Sequence, residues 1–195
     1  MGYSPLNQGR ERCMDRPRAE AVNVAFASKR LILEPIGAHH APLMFSAMQD
    51  PAIYQWISSE PPETEAEQAA GWGRLVERLR NAKDERCFVW AAQRVSDGAW
   101  LGTLDVVAKG EIASNVGYVF FPPFWGQGYA SEAVAALSDH LARQGIVEQR
   151  AAVTVGNIAS TRVLERAGFL AGRVMVGNDT IRGCAVDDIE YIRRD

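Results

Sequence analysis

The 195 residues are 47% hydrophobic and carry a net charge of −3. That is ample apolar material for one folded core and the wrong charge for non-specific binding of nucleic acid. Three cysteines (Cys13, Cys87, Cys184) are odd in number and lack C-x-x-C spacing, and no apolar run approaches a membrane span or a signal-peptide core, so disulfide, zinc and membrane frameworks are excluded and a cytoplasmic chain is expected.

Residues 1–28 are polar and irregular, with four arginines between Arg10 and Arg18. They are expected to form a flexible arm, or a clasp onto a neighbouring copy that leaves a homodimer open. The domain is expected at 29–195. It starts with a short strand, Arg30 to Glu34, ended by Pro35. Leu43, Met44, Ala47 and Met48 fall on one helical face. Thr64 with Glu67 resembles a capping box, and Ala69, Trp72, Leu75, Val76 and Leu79 behind it predict a helix from about 65 to before 81. Strands follow at 87–94, 100–107 and 115–121, separated by turns at Ser96-Asp97-Gly98 and Lys109-Gly110. A helix carries Ala130, Ala133, Val134, Leu137 and Leu141 on one face and stops at Gly145. A strand at 150–155, a short helix from Ser160 to Ala167, and strands around Val174 and 185–192 complete the order. The fold class is therefore α/β, with a single mixed, mostly antiparallel sheet flanked by helices.

The segment Phe121-Pro-Pro-Phe-Trp125-Gly126-Gln127-Gly128-Tyr129-Ala130-Ser131 joins a strand to an amphipathic helix. Two glycines let the backbone turn tightly and approach a ligand, and its N–H groups converge on a helix N-terminus, where phosphates bind. A Walker A loop would end in Gly-Lys-Ser/Thr, and a dinucleotide fingerprint would need a third glycine on a first strand. Neither fits.

These residues resemble the acetyl-coenzyme A loop of the GNAT N-acetyltransferases, Arg/Gln-x-x-Gly-x-Gly/Ala, with Trp125 in its first position. Trp125, with Tyr129 to Ala133 after the glycines, is similar to the branch containing the ribosomal-protein N-terminal acetyltransferases. Asn157-Ile-Ala-Ser160, followed by an apolar helix ending in Gly168-Phe169, resembles the family's later motif. The resemblance spans residues 30–195 and implies splayed fourth and fifth strands, here 115–121 and 150–155. The pantetheine arm of acetyl-CoA would lie between them, against the backbone of Tyr118 and Phe120 and opposite Asn157. One N–H, that of Phe120, is expected to hold the thioester oxygen.

By the same resemblance, the acid that protonates the departing thiolate is often a tyrosine in the last helix, where this chain has Leu164. Ser160 on the same face is the substitute candidate, with helix capping as its other reading. Asn115 stands where relatives often carry a glutamate base, leaving Asp105, Glu111 and Asp187. Tyr54 and Trp56, between the first two helices, are candidates for the acceptor pocket. His39-His40 reads as a surface pair without metal-ligand spacing, and His140 as lying on the exposed side of its helix. The expected activity is acetyl transfer from acetyl-CoA to a primary amine by direct attack, a peptide α-amine being favoured over a small molecule, with no metal. The missing tyrosine and glutamate keep open a coenzyme A-binding module without turnover.

Overall fold

Strict alternation along the central strands decides which face each side chain takes. The computed structural model describes residues 14, 16–81 and 85–195. In β3 (Arg86–Arg94), β4 (Trp100–Lys109) and β5 (Ile112–Phe120), the side chains of Phe88, Trp90, Leu104, Val106 and Val116 enter the main core. Their odd-numbered neighbours, among them Val89, Asp105 and Gly117, fall on the opposite face. With β1 (Phe26–Ala27), β2 (Leu31–Pro35), β6 (Glu148–Thr154), β7 (Leu170–Ile181) and β8 (Cys184–Arg194), they form one sheet in the order β1-β2-β3-β4-β5-β6-β8-β7. Every adjacent pair is antiparallel except β5 with β6.

That parallel pair places the site. It consists of Ile112 opposite Glu148 and Ala113 opposite Gln149 only, after which the strands part. The expected fourth and fifth strands are β5 and β6, and they splay. On the main-core face lie α4 (Tyr129–Arg143), through Ala133, Val134, Leu137 and Leu141, and α5 (Ile158–Arg166), through Leu164. On the other face α3 (Glu65–Asn81) and the short α2 (Ala41–Met44) bury Trp72 and Met44 against Ala91 and Phe121. No helix among the described residues is long and apolar enough to cross a membrane.

Three expectations change. Part of the stretch read as a flexible arm is built into the fold: α1 (Arg16–Val22) and its flanks bury Met14, Ala19 and Val22 in the main core. Val24 accepts from the Trp90 indole at 3.0 Å, and the buried Arg86 donates through Nε to the Met14 carbonyl at 3.0 Å. Residues 1–13 and 15 lie outside the described residues. Further on, no continuous helix carries Leu43 to Met48. Short turns run at Ala38–His40, Ala47–Gln49 and Pro51–Gln55 on either side of α2, and Leu43 is 56% exposed. Pieces this short have no helical stability of their own and are held by packing. The capping box forms in altered shape: Thr64 Oγ1 accepts from the Glu67 N–H at 3.1 Å, while Glu67 reaches back to the N–H of Glu63 rather than of Thr64.

Candidate active site

The glycine-containing loop leaves β5 through a turn at Pro122–Phe124 and enters α4 with Gly126 at φ 73° and Gly128 at φ 80°. Both are left-handed, a region costly for a residue with a Cβ. No side chain caps α4, so its first N–H groups are open to a ligand at the positive end of the helix dipole. Glu132, in the first turn, would repel a phosphate, but its carboxylate is turned into a staple. It accepts from Ser28 Oγ at 2.7 Å, from the Arg30 N–H at 2.7 Å and from Arg30 Nε at 2.6 Å. Burial alone would raise its pKa, but these bonds and the arginine charge outweigh that and keep it below the usual range. The Arg30 guanidinium also lies 4.2 Å from the Tyr129 ring centre and donates to the Gln127 carbonyl at 3.2 Å, so the loop is clamped to β2.

Within the loop, backbone and side chains divide the work. The side chain of Gln127 folds back onto the Pro123 carbonyl, that of Tyr129 is buried in the core, and the Trp125 indole donates to the Phe120 carbonyl at 2.5 Å. Gln127 does not line the cleft, whereas Tyr129 and the half-exposed Trp125 border it together with Gly126, Gly128, Ala130 and Ser131. The Phe121 N–H donates to Leu101 on β4 at 2.8 Å. The alternation of a strand therefore turns the N–H groups of Phe120 and Tyr118 toward the gap. The Phe120 carbonyl, expected to pair with pantetheine, is taken by Trp125.

A cleft of about 840 Å³ runs from this loop, past the splayed strands, to the opposite face of the sheet, within the range of small-molecule sites. On its α5 wall, Asn157 is the helix cap, its Oδ1 accepting from the Ser160 N–H at 3.1 Å. The Ser160 hydroxyl is therefore not the cap. It lies 2.7 Å from the Tyr118 hydroxyl, and burial pushes the Tyr118 pKa up to about 12 against the opposing Ser160 bond. Leu164 lines the wall as an apolar residue. A phenol on β5 therefore stands beside Ser160, which a search along the helix could not find.

Of the three carboxylates considered, only Asp105 lines the cleft. It faces Gly117 across β4 and β5, where a Cβ would come within 2.5 Å of its carboxylate. Burial pushes its pKa up to about 6, partly offset by a 3.4 Å contact with Asn115 Nδ2. Glu111 lies at the paired end of β5, beside Val147, and Asp187 is exposed with its Oδ1 on the Gly177 N–H. The residue missed was Asp188, which is 4% exposed, lines the cleft and accepts from Asn178 Nδ2 at 2.7 Å. Two adjacent aspartates on a strand must face opposite ways, but sequence does not say which faces in.

The acceptor candidates separate. Trp56 lines the cleft, with its ring 3.5 Å from where a Cβ at Gly156 would sit. Tyr54 does not: it is buried in the second core and its hydroxyl donates to the Met48 carbonyl at 2.7 Å. The histidines are corrected too. His40 is fully buried, with Nε2 2.9 Å from Glu34 Oε1 and His39 beside it. His140 is 4% exposed with Nε2 2.8 Å from the Val22 carbonyl, because α1 covers that helix face.

Comparison with known proteins agrees with this geometry. Residues 30–170 match the model of the acetyltransferase (GNAT) domain. The Bacillus subtilis N-acetyltransferase YoaA is 27% identical over 143 residues, 72% of this chain and 79% of its own length. The ribosomal-protein-S5-alanine acetyltransferase of Vibrio fischeri superposes with TM-score 0.74 at 19% identity, covering 88% of this chain and 96% of the other. RimL, a ribosomal L7/L12 α-N-protein acetyltransferase solved with coenzyme A, gives 0.71 at 22% identity, covering 86% and 95%. With a family model matching well over half its length and the fold of these enzymes, the chain belongs to the GNAT acetyltransferases.

Proposed function

We propose that the protein transfers an acetyl group from acetyl-coenzyme A to a primary amine by direct attack. The observation that carries this reading is the parting of β5 and β6 directly beside an uncapped helix N-terminus, within one continuous cleft. The residues fit the donor: open N–H groups at Gly128 to Ser131 suit its phosphates, the gap suits an extended pantetheine, and Asn157 borders it from α5.

The backbone N–H of Phe120 faces the gap, where it would stabilise negative charge on the thioester oxygen. Asp105, buried but ionised above about pH 6, is suited to take the proton the attacking amine must lose, directly or through a water. The new N–C bond forms as the C–S bond breaks. The departing thiolate leaves as the thiol, its proton relayed from the Tyr118 phenol through the Ser160 hydroxyl, and the phenol takes a proton back from solvent in the cleft. On this reading Asp105 on β4 and Tyr118 on β5 supply the carboxylate and the phenol whose absence favoured a module without turnover. A peptide α-amine is one acceptor this reading admits, supported by the two ribosomal-protein enzymes that share the fold.

The test is release of coenzyme A thiol from acetyl-CoA across a panel of amines, beside calorimetric binding of coenzyme A. Amine-dependent thiol release is expected. Tight binding without release for any amine would establish the binding module instead.

A further inference from the structure

Asp188 is a buried carboxylate to which the transfer chemistry gives no task. Its Oδ2 is held by Asn178, but its Oδ1 is buried and, among the described residues, receives no hydrogen bond. An unpaired buried carboxylate oxygen is costly, so such a group asks for a donor. Arginines of the flanking strands and turn are engaged elsewhere: Arg173 of β7 and Arg150 of β6 pair with Glu190, and Arg182, in the turn before β8, reaches the Tyr54 carbonyl.

The register locates this oxygen relative to the chemistry. On β8, Ile189 and Tyr191 pack toward the main core, so Asp188 falls on the opposite face, the same face as Asp105. Asp105 is paired with Gly117 of β5, and Asp188 with Thr154 of β6. Continuing the β5–β6 register from Ile112 and Glu148, with the extra residue that β5 carries between Ala113 and Asn115, brings Gly117 level with Ala152, two residues from Thr154. The two carboxylates therefore stand on one face within about two residues of the same height, one strand back from either bank of the gap. A nitrogen reacting over the gap lies one to two strand spacings from Asp188, about 5–10 Å.

Asp188 cannot usefully hold the reacting nitrogen itself. Asp105 already stands there as the proton acceptor, and a second carboxylate would only favour the charged ammonium further and oppose the deprotonation that attack requires. Its donor must be a group that stays protonated. Building on the acetyltransferase reading above, we infer that the acceptor carries a second cationic group, which Asp188 binds while the reacting amine sits beside Asp105. The separation matches an acceptor whose two nitrogens are joined by a chain of about four or five carbons.

The experiment compares 1,4-diaminobutane with 1-aminobutane, in turnover and in calorimetric binding to the coenzyme A-loaded protein. A lysyl-alanine dipeptide, whose α-amine and ε-ammonium are joined by five carbons, set against alanyl-alanine distinguishes a peptide source of the second cation from a small diamine. The cationic member of a pair is expected to have a KM at least ten-fold lower. Asp188→Asn should erase that preference, seen as a rise in KM for the diamine alone, with coenzyme A affinity unchanged. Asn178→Lys, a surface change that delivers a cation from the chain's own hairpin, should erase it also and covers the case in which Asp188→Asn does not fold. Equal KM and equal binding of diamine and monoamine, or a preference that survives both variants, would overturn the inference. If no amine is acetylated but diamine binding still depends on Asp188, the turnover reading fails and the cation site stands.

Discussion

The two halves of the cleft are built differently. The half proposed to hold the donor is built mainly of backbone: left-handed glycines, the open N–H groups of α4 and the edge of β5, contributed largely by residues 118 to 131. The half proposed to hold the acceptor is made of side chains brought from far apart: Trp56 from the turns before α3, Asp105 from β4, Asn178 from β7 and Asp188 from β8. A backbone site tolerates many side chains so long as its dihedrals survive, whereas a side-chain site changes with each substitution. One donor can therefore be kept while acceptors vary.

Asp105→Asn is expected to give the largest effect, a turnover loss of roughly 10²–10⁴-fold with coenzyme A affinity retained. In the wild type, kcat/KM should rise with pH through a limb near 6 as Asp105 ionises. The sign for stability is opposite. A carboxyl whose pKa is raised on folding from 3.8 to about 6 loses stability as pH climbs through that window. Asp105→Asn should therefore melt higher at neutral pH, by up to about 3 kcal/mol, with no gain below pH 3.8. A variant of full activity would remove Asp105 from the chemistry.

Ser160→Ala should lower turnover about 10²-fold, while leaving the α5 cap intact, since Asn157 bonds the Ser160 N–H and not its hydroxyl. Tyr118→Phe should fall less, and the double variant little further than Ser160→Ala if the hydroxyls act in series. Independent, additive losses would dissolve the relay. On the donor side, Gly128→Val should weaken coenzyme A binding about ten-fold and cost about 1–2 kcal/mol for a β-branched residue at φ 80°. Unchanged calorimetric affinity in the folded variant would mean that the donor half does not use this loop. Trp56→Ala should have the smallest effect, a several-fold rise in acceptor KM with coenzyme A binding unaffected. Loss of both together would show that the halves are not separable.

The same division decides what could be read in advance. The loop, the α4 stop at Gly145 and the Asn157 motif lie within contiguous stretches, and their physics is short-ranged: a left-handed dihedral, a cap, a helix dipole. Ser160 was legible as a hydroxyl on the right helix, but its partner was not, because Tyr118 is 42 residues away on another element. His140 was misread for a related reason. Its helix face is bare until α1 folds back over it, and α1 comes from a stretch with no apolar pattern strong enough to announce it.

By itself the sequence determined the mixed sheet, the order of its elements from α3 onward and the glycine loop before α4, because alternation, helical spacing and glycine placement act over a few residues at a time. Tertiary structure alone decided that Tyr54 turns into the core while Trp56 lines the cleft, and that of two adjacent aspartates it is Asp188 that is buried. It also decided that Asp105 and Asp188 share one face of the sheet on opposite sides of the gap between β5 and β6. The aspartates depend on strand register, where a one-residue slip would turn Asp188 outward, and the aromatic pair on how the turns before α3 pack.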